Sequence, residues 1–143
     1  KNNPNINIVI RYHPIIMDKF LNYKLPYLNN FKISSSDIIT DSSKSRCAIY
    51  SSSTAIFEAI KYGCIPIHLN FGLNSDLSDP LWQVKSDLIQ YIITPNELDK
   101  LLIDYIYSYK NSAIISNQYK DLLKQVNKLK TIVDIEKLIK QLK

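Results

Sequence analysis

Residues 46–69 read RCAIYSSSTAIFEAIKYGCIPIHL, and this stretch indicates how the chain folds. An apolar run at 46–50 leads into four adjacent hydroxyl residues, and apolar residues then recur at helical spacing over 54–62. The helical pattern ends at Gly63, because glycine readily adopts the left-handed conformation that follows many helices. A second apolar run at 64–69 completes a strand–helix–strand unit, which is the building block of a parallel sheet.

The same alternation continues on both sides of this unit. Further strands are predicted at 6–12, 31–33 and 91–93, and further helices at 15–23, 37–43, 95–106, 113–129 and 132–142. No two strands are joined by a two-residue hairpin turn, so the strands are expected to run in parallel. We therefore predict one α/β domain over residues 1–143, with a Rossmann-like, mostly parallel sheet flanked by helices and with extra C-terminal helices.

Three local signals refine this prediction. Ser36 is positioned to cap the helix at 37–43. The motif TPNE at 94–97 is a capping box with proline at the first helical position. Pro66 lacks a backbone donor, which predicts that its strand lies at a sheet edge or that the proline lies at a strand end.

The composition suits one globular domain, since 45% of the 143 residues are hydrophobic. The net charge is +5, and many of the lysines fall in the last third of the chain. We interpret them as solvated helix faces, with peripheral binding to a membrane surface or to an acidic partner as the alternative. No long apolar run or signal peptide is found, so we expect a cytoplasmic protein, or one at the inner face of the membrane.

The four hydroxyl residues of the central unit are candidate binding residues: Ser51, Ser52, Ser53 and Thr54. One hydroxyl suffices to cap a helix, so four exceed that need. Together with the unpaired N–H groups of the first helical turn, they can bind a phosphate. Glu58 lies one turn after Thr54 on the same helix face, where a carboxylate can accept hydrogen bonds from two ribose hydroxyls. The simpler interpretation is a redundant cap followed by a solvent-facing glutamate.

His13 is a second candidate, because Pro14 disfavours a helix at this position and ends the first strand there. Parallel strands present their carboxyl ends at one edge of the sheet, so His13 and the four hydroxyl residues can border one crevice. An imidazole there can donate to a phosphate oxygen or act as an acid on a leaving phosphate. His68 lies inside a strand and is predicted to be a core or rim residue.

Several other kinds of site are disfavoured. The sequence has no GxxxxGK loop, no GxGxxG motif and no GxSxG elbow. It has no Asp-x-Asp pair, and Cys47 and Cys64 are not part of a Cys/His cluster, so a metal site is not expected. Basic and aromatic residues are not interleaved in a nucleic-acid-binding pattern. We therefore expect no metal, no separate cofactor and no nucleic-acid partner.

Taken together, the motif residues resemble the carboxyl-terminal, nucleotide-binding half of GT-B glycosyltransferases. The resemblance spans roughly residues 6–93 and is carried, in this order, by RYHP at 11–14, SSSTA at 51–55, Glu58-Ala59, Gly63 and Pro66. It is strongest for bacterial surface-polysaccharide enzymes, such as capsule and polysialic acid synthases, which carry an HP motif and a serine-rich motif. In this family the histidine and the serines contact the donor phosphates, and the glutamate often holds the ribose.

The resemblance implies a nucleotide-sugar-binding domain that acts in the synthesis of a surface polysaccharide. It makes His13 the catalytic residue and assigns the nucleotide sugar to Ser52, Ser53, Thr54 and Glu58. The acceptor-binding amino-terminal half of such enzymes is missing, so we expect a fragment of a two-domain enzyme. Alone it would be inactive, because the glycan acceptor binds through that other half.

Two alternatives stay open. An enzyme of the UDP-sugar 2-epimerase type shares the fold but needs further carboxylates near the sugar, for which Asp76 and Asp79 are the obvious supply. A non-catalytic, GT-B-derived domain would instead dock to a partner through the lysine-rich helices. Nucleotide binding distinguishes this last alternative from both enzymes.

Overall fold

Short strands and helices alternate along the part of the chain that the computed structural model describes, residues 6–12, 30–70, 79–108 and 113–132. The strands are β1 (Ile8–Ile10), β2 (Phe31–Ile33), β3 (Cys47–Tyr50), β4 (Ile65–Leu69) and β5 (Gln90–Ile92). The helices are α1 (Ile38–Ser43), α2 (Ala55–Lys61), α3 (Pro95–Ser108) and α4 (Ala113–Ile132). The predicted α/β class is confirmed, and the helices flank two small sheets.

Every strand pairing in these ranges is parallel, as the lack of hairpin turns predicted. β1 pairs with β2 in one sheet, and β3, β4 and β5 form a second sheet with β4 in the middle. In the second sheet, Tyr50 of β3 and Tyr91 of β5 both lie opposite His68 of β4. Directly opposed residues share a face of the sheet, so these three side chains project to the same side.

Pro66 lies in β4, the middle strand of its sheet, so the edge alternative was wrong, but it is the second residue of that strand, in agreement with the strand-end alternative. Successive N–H groups of a strand point to opposite neighbours. Ile65 donates toward the start of β3, whereas Asn70 donates to β5, so position 66 faces β5. The pairing with β5 begins only at Ile67, which lies opposite the first residue of β5, so the proline precedes this pairing and costs no ladder bond.

One face of the three-stranded sheet packs against α2 and α4. The buried cluster comprises Tyr50, Ile56, Ala59, Ile60, Cys64, Leu81, Val84, Leu88, Ile89, Leu122 and Val126. The Tyr119 hydroxyl of α4 donates to the Ile60 carbonyl near the end of α2. The Gln125 amide of α4 accepts the Lys85 N–H and donates to the Lys85 carbonyl, each over 2.9 Å. These polar contacts hold α4 against α2 and against the segment that precedes β5.

The start of α1 differs from the prediction, because Asp37 and not Ser36 is its cap. The Asp37 carboxylate accepts the Thr40 N–H at 2.7 Å and the Thr40 hydroxyl at 2.9 Å. A carboxylate offers two charged acceptor oxygens, which a serine hydroxyl cannot match. These bonds from Thr40 lower the pKa of Asp37.

The end of α2 and the start of α3 agree with the prediction. Gly63 follows α2 with a φ of 105°, which residues with a side chain rarely adopt. At α3, the Thr94 hydroxyl accepts the Glu97 N–H at 3.3 Å. In return, the Glu97 carboxylate accepts the N–H groups of Thr94 at 3.2 Å and Ile93 at 2.8 Å. The predicted capping box at 94–97 is thus formed in full.

Both thiols are held in the protein interior near the start of the three-stranded sheet. Cys64 is buried, and its Sγ donates to the Ser42 carbonyl of α1 at 3.3 Å. Cys47 is half-buried in β3. Burial raises the pKa of each thiol to about 11.

Some predicted elements lie wholly or largely outside the described residues. The predicted helix at 15–23 is one, and the predicted helix at 132–142 is another, apart from its first residue. The strand predicted at 6–12 is confirmed only over Ile8–Ile10. Among the described helices, none is both long enough and apolar enough to cross a membrane.

Candidate functional site

β3 and α2 are joined by an exposed turn made of Ser51, Ser52, Ser53 and Thr54, which we call the serine-rich turn. Ser53 supports the helix: its Oγ accepts the Ala55 N–H at 3.3 Å, and its carbonyl accepts the Ile56 N–H at 3.2 Å. Thr54 occupies the N-cap position, but its hydroxyl makes no capping bond. The hydroxyls of Ser52 and Thr54 bond to none of the described residues, so they are in excess of what the helix needs.

α2 places one carboxylate close to this turn. Glu58 lies in the first turn of α2 and is half-buried. It shares a helix face with Thr54, four residues earlier, while Ile56 and Ile60 are buried in the core. α2 has only 7 residues, so its dipole is small, and an anion at this turn would depend mainly on the hydroxyl donors.

Arg11 attaches the end of β1 to the start of α1. Its guanidinium donates to the Ser34 hydroxyl at 2.9 Å and to the Ser36 carbonyl at 2.7 Å, and it forms an ion pair with Asp41. Burial would raise the pKa of Asp41, but the hydrogen bonds from Ser34 and Arg11 outweigh it and hold the pKa below its usual value. Arg11, which belongs to the RYHP motif, is thus engaged with protein groups.

His13 and Asp76 lie outside the described residues. The predicted role of His13 and the predicted crevice between it and the serine-rich turn therefore stay predictions. Within the described ranges, no group of three or more His, Cys, Asp or Glu side chains could hold a metal ion.

A buried imidazole lies directly behind the serine-rich turn. His68 is fully buried, which confirms its prediction as a core or rim residue. Its Nε2 is 2.8 Å from the carbonyl oxygen of Ser51. The ring lies between those of Tyr50 and Tyr91, whose centroids are 5.0 Å and 5.5 Å away. The three aromatic rings fill one face of the sheet near the carboxyl ends of its strands.

Asp79 completes this cluster on the side of the tyrosines. Its carboxylate is 3% exposed and accepts the Tyr50 hydroxyl at 3.1 Å, the Leu81 N–H at 2.8 Å and the Tyr91 hydroxyl at 3.5 Å. Burial, reinforced by the charge of Asp79, raises the pKa of the Tyr50 phenol. Both carboxylate oxygens of Asp79 thus point to protein donors, which disfavours it as a sugar-facing carboxylate of an epimerase.

Sequence reasoning missed that Tyr50, His68, Asp79 and Tyr91 form one cluster, and that His68 bonds to the serine-rich turn. A signal was available for three of them, because β3, β4 and β5 each carry one tyrosine or histidine near the end of the strand. Only the register shows that these three are directly opposed. Asp79 gave no such signal, since it belongs to a polar loop.

A charged groove of about 600 Å³ lies between α4 and the segment that precedes β5. Its lining residues are Lys85, Ser86, Asp87, Gln118, Asp121, Lys124, Gln125 and Lys128. None of them belongs to the serine-rich turn, so the groove and the turn are separate surface features.

In comparison with known proteins, no family model, no curated protein and no solved structure matches the chain. The resemblance to GT-B glycosyltransferases therefore rests on the motif residues themselves.

Proposed function

We propose that this chain is the nucleotide-sugar-binding domain of a GT-B-like glycosyltransferase that acts in the synthesis of a bacterial surface polysaccharide. The observation that carries the proposal is the serine-rich turn at the carboxyl end of β3. Ser52 and Thr54 present hydroxyls that no described residue uses, and Glu58 presents a carboxylate one turn further on. Donors beside one carboxylate suit a ligand that has both phosphate and hydroxyl groups.

In the proposed reaction, the hydroxyl donors bind the phosphates of the nucleotide sugar. Negative charge increases on the departing phosphate as the glycosidic bond breaks, and donors that are already oriented stabilise this charge. Glu58 accepts hydrogen bonds from the ribose and so orients the donor. His13 supplies a further hydrogen bond or a proton to the leaving phosphate.

The strand order supports a ligand at this position. A doubly wound sheet with the order 2-1-3-4-5 binds its ligand beyond the carboxyl ends of strands 1 and 3, where the order reverses. The orders β2-β1 and β3-β4-β5 are both segments of that arrangement. α1 is bonded to segments that adjoin both sheets, because Asp41 pairs with Arg11 after β1 and the Ser42 carbonyl accepts from Cys64 before β4.

A second candidate is a domain that docks to a partner without catalysis. The charged groove favours it, since Lys85, Lys124 and Lys128 line a concave surface together with Asp87 and Asp121. Such a domain would have no use for the unbonded hydroxyls of the serine-rich turn.

Titration calorimetry with a panel of nucleoside mono- and diphosphates tests the proposal. We expect at least one nucleotide to bind, and the double variant Ser52→Ala/Thr54→Val to bind it about tenfold more weakly or worse. Hydrogen bonds to charged groups are worth about 1.5–3 kcal/mol each, which supports this magnitude. Ser43→Ala, an exposed serine of α1, is the matched control and should bind like the wild type. If no nucleotide binds, or if the double variant binds normally, the proposal is wrong.

A further inference from the structure

His68 has a fixed place in the sheet. It belongs to the central strand β4, its side chain is fully buried, and its ring is enclosed by the rings of Tyr50 and Tyr91. Side chains packed in this way on a pleated surface have little rotamer freedom. The imidazole is therefore held with Nε2 toward the serine-rich turn.

The bond to the turn fixes the position of the ring hydrogen. The Ser51 carbonyl can only accept a hydrogen bond, so His68 Nε2, 2.8 Å away, carries the hydrogen. Nδ1 is buried and has no hydrogen-bond partner among the described residues. Among the described residues, the hydrogen-bond partner of this imidazole is therefore the serine-rich turn. A core residue that served packing alone would not need this bond.

This bond also orients the next peptide group. No peptide bond in the described chain is cis, so the Ser51 carbonyl and the Ser52 N–H point in opposite directions. His68 holds the carbonyl toward the buried side of the turn. The Ser52 N–H is consequently directed away from the imidazole, on the side where the turn is exposed.

We infer that His68 is a positioning residue for phosphate binding: it holds the Ser51–Ser52 peptide so that the Ser52 N–H joins the hydroxyls of the serine-rich turn as a phosphate donor. This inference rests on the proposed function. It adds the Ser52 N–H to the phosphate donors of the same site and identifies His68 as the residue that orients it. His68 itself does not touch the ligand. A backbone donor held from behind loses no conformational freedom when the phosphate arrives, which favours binding.

Two variants of similar length separate the hydrogen bond from the packing. His68→Gln can place an amide N–H close to the position of Nε2, whereas His68→Met fills similar space without a donor. Both are titrated with inorganic diphosphate, and the Ser52 amide is followed by two-dimensional NMR. We expect the Ser52 resonance of the wild type to shift on binding. We expect His68→Met to bind about five- to tenfold more weakly, the effect of one hydrogen bond, and His68→Gln to regain most of the loss.

The possible results distinguish the inference from the proposed function. If nucleotides bind to the wild type and both variants take diphosphate equally well, the inference is overturned and the proposed function stands. If no nucleotide binds, but diphosphate shifts Ser52 in the wild type and in His68→Gln more readily than in His68→Met, the positioning role stands and the nucleotide-sugar assignment fails. Absence of a Ser52 shift in the wild type overturns the inference.

A measurement on the wild type covers the case in which a variant does not fold. The nitrogen chemical shifts of the imidazole, read with long-range proton correlations, report which ring nitrogen carries the hydrogen. We expect hydrogen on Nε2 of His68. Hydrogen on Nδ1 alone would mean that the Ser51 carbonyl receives no bond, and the inference would be overturned.

Discussion

Glu58 lies in the first turn of α2 and Gly63 follows the end of that helix, and one substitution at each position tests the role assigned to it. Glu58 presents a carboxylate beside the serine-rich turn. Gly63 lets the backbone leave the helix with a positive φ. The proposed role of Glu58 concerns ligand binding and that of Gly63 concerns stability, so we expect the two variants to have separate effects.

The first prediction concerns Glu58→Gln, which removes the charge and keeps the shape of the side chain. We expect the fold to be unchanged and nucleotide affinity to fall about tenfold or more, because charge-assisted hydrogen bonds to the ribose would be weakened. Calorimetry with the tightest nucleotide of the panel measures this change. A sugar phosphate without a ribose is the control ligand and should bind equally well to both proteins. Unchanged nucleotide affinity would show that Glu58 does not hold a ribose.

The second prediction concerns Gly63→Ala. The space around a Cβ at this position is open, but the φ of 105° is one that residues with a side chain rarely adopt. We expect a loss of about 1–2 kcal/mol in unfolding free energy, measured by urea denaturation. Gly63→Asn should lose less, because asparagine tolerates positive φ better than alanine does. Equal stability of Gly63→Ala and the wild type would show that the backbone relaxes freely at this point.

At the scale of single elements, the capping box of α3 makes stability depend on pH. The N–H groups of Ile93 and Thr94 lower the pKa of Glu97 in the folded protein. In the unfolded chain the pKa of glutamate is about 4.3. Between these two values the unfolded state binds more protons, so stability rises with pH there. The contribution of Glu97 is therefore complete above about pH 4.3 and is lost as pH falls through the lowered pKa.

The third prediction follows from this increase of stability with pH. Glu97→Gln should reduce the dependence of unfolding free energy on pH between about pH 3 and 5, and should lower stability at pH 7. Urea denaturation at a series of pH values measures both. Asp99→Asn is the matched control, because Asp99 is an exposed carboxylate of the same helix outside the capping box. The same pH dependence in Glu97→Gln and the wild type would count against the capping interaction.

Elements whose ends depend on neighbouring residues could be predicted from the sequence. The capping box at 94–97 and the glycine after α2 are examples, because their partners lie within four residues. For Pro66 the sequence left an edge strand and a strand end open, and the choice depends on where β5 begins to pair. Ser36 and Asp37 are adjacent candidates for the cap of α1. Asp37 caps the helix because its carboxylate has two acceptor oxygens.

The candidate site divides in the same way. The excess of hydroxyls in the serine-rich turn could be predicted by counting them: the Ser53 hydroxyl bonds to the start of the helix, whereas the Thr54 hydroxyl makes no capping bond. The bond from His68 to Ser51 joins residues 17 positions apart, and it depends on the register between two strands. No local pattern specifies that register, so the support behind the turn could be found only from the structure.

At the scale of the whole molecule, the two sheets differ in how well they are buried. β3 and the segment before β5 contribute to the buried cluster, and Ile65 and Ile67 of β4 are fully buried, whereas β1 and β2 contain no buried residue. The exposed end of β1 is attached through the Arg11–Asp41 ion pair. Opening of β1 and β2 therefore exposes little apolar surface and should need less free energy than opening of β3–β5.

The fourth prediction is that amide hydrogen exchange is faster in the first sheet. The N–H of Ile8, bonded to Asn30, should exchange about a hundredfold faster than that of Ile65, after correction for intrinsic rates. Asp41→Asn should speed the exchange of Ile8 further and leave that of Ile65 unchanged. Exchange of both amides at one common rate, in the wild type and in the variant, would mean that the two sheets open together.

The raised pKa values of the two thiols have a practical consequence for labelling. The chain has only two cysteines, and with a pKa of about 11 each is a thiolate about once in ten thousand molecules at neutral pH. The thiolate is the form that reacts with thiol reagents, so the native protein should react only very slowly with maleimides and spin labels. Ser52→Cys would then carry the one fast-reacting sulfur of an otherwise unmodified molecule. Because Cys47 and Cys64 react slowly, a single fluorescent or paramagnetic reporter can be attached at the serine-rich turn without replacing them.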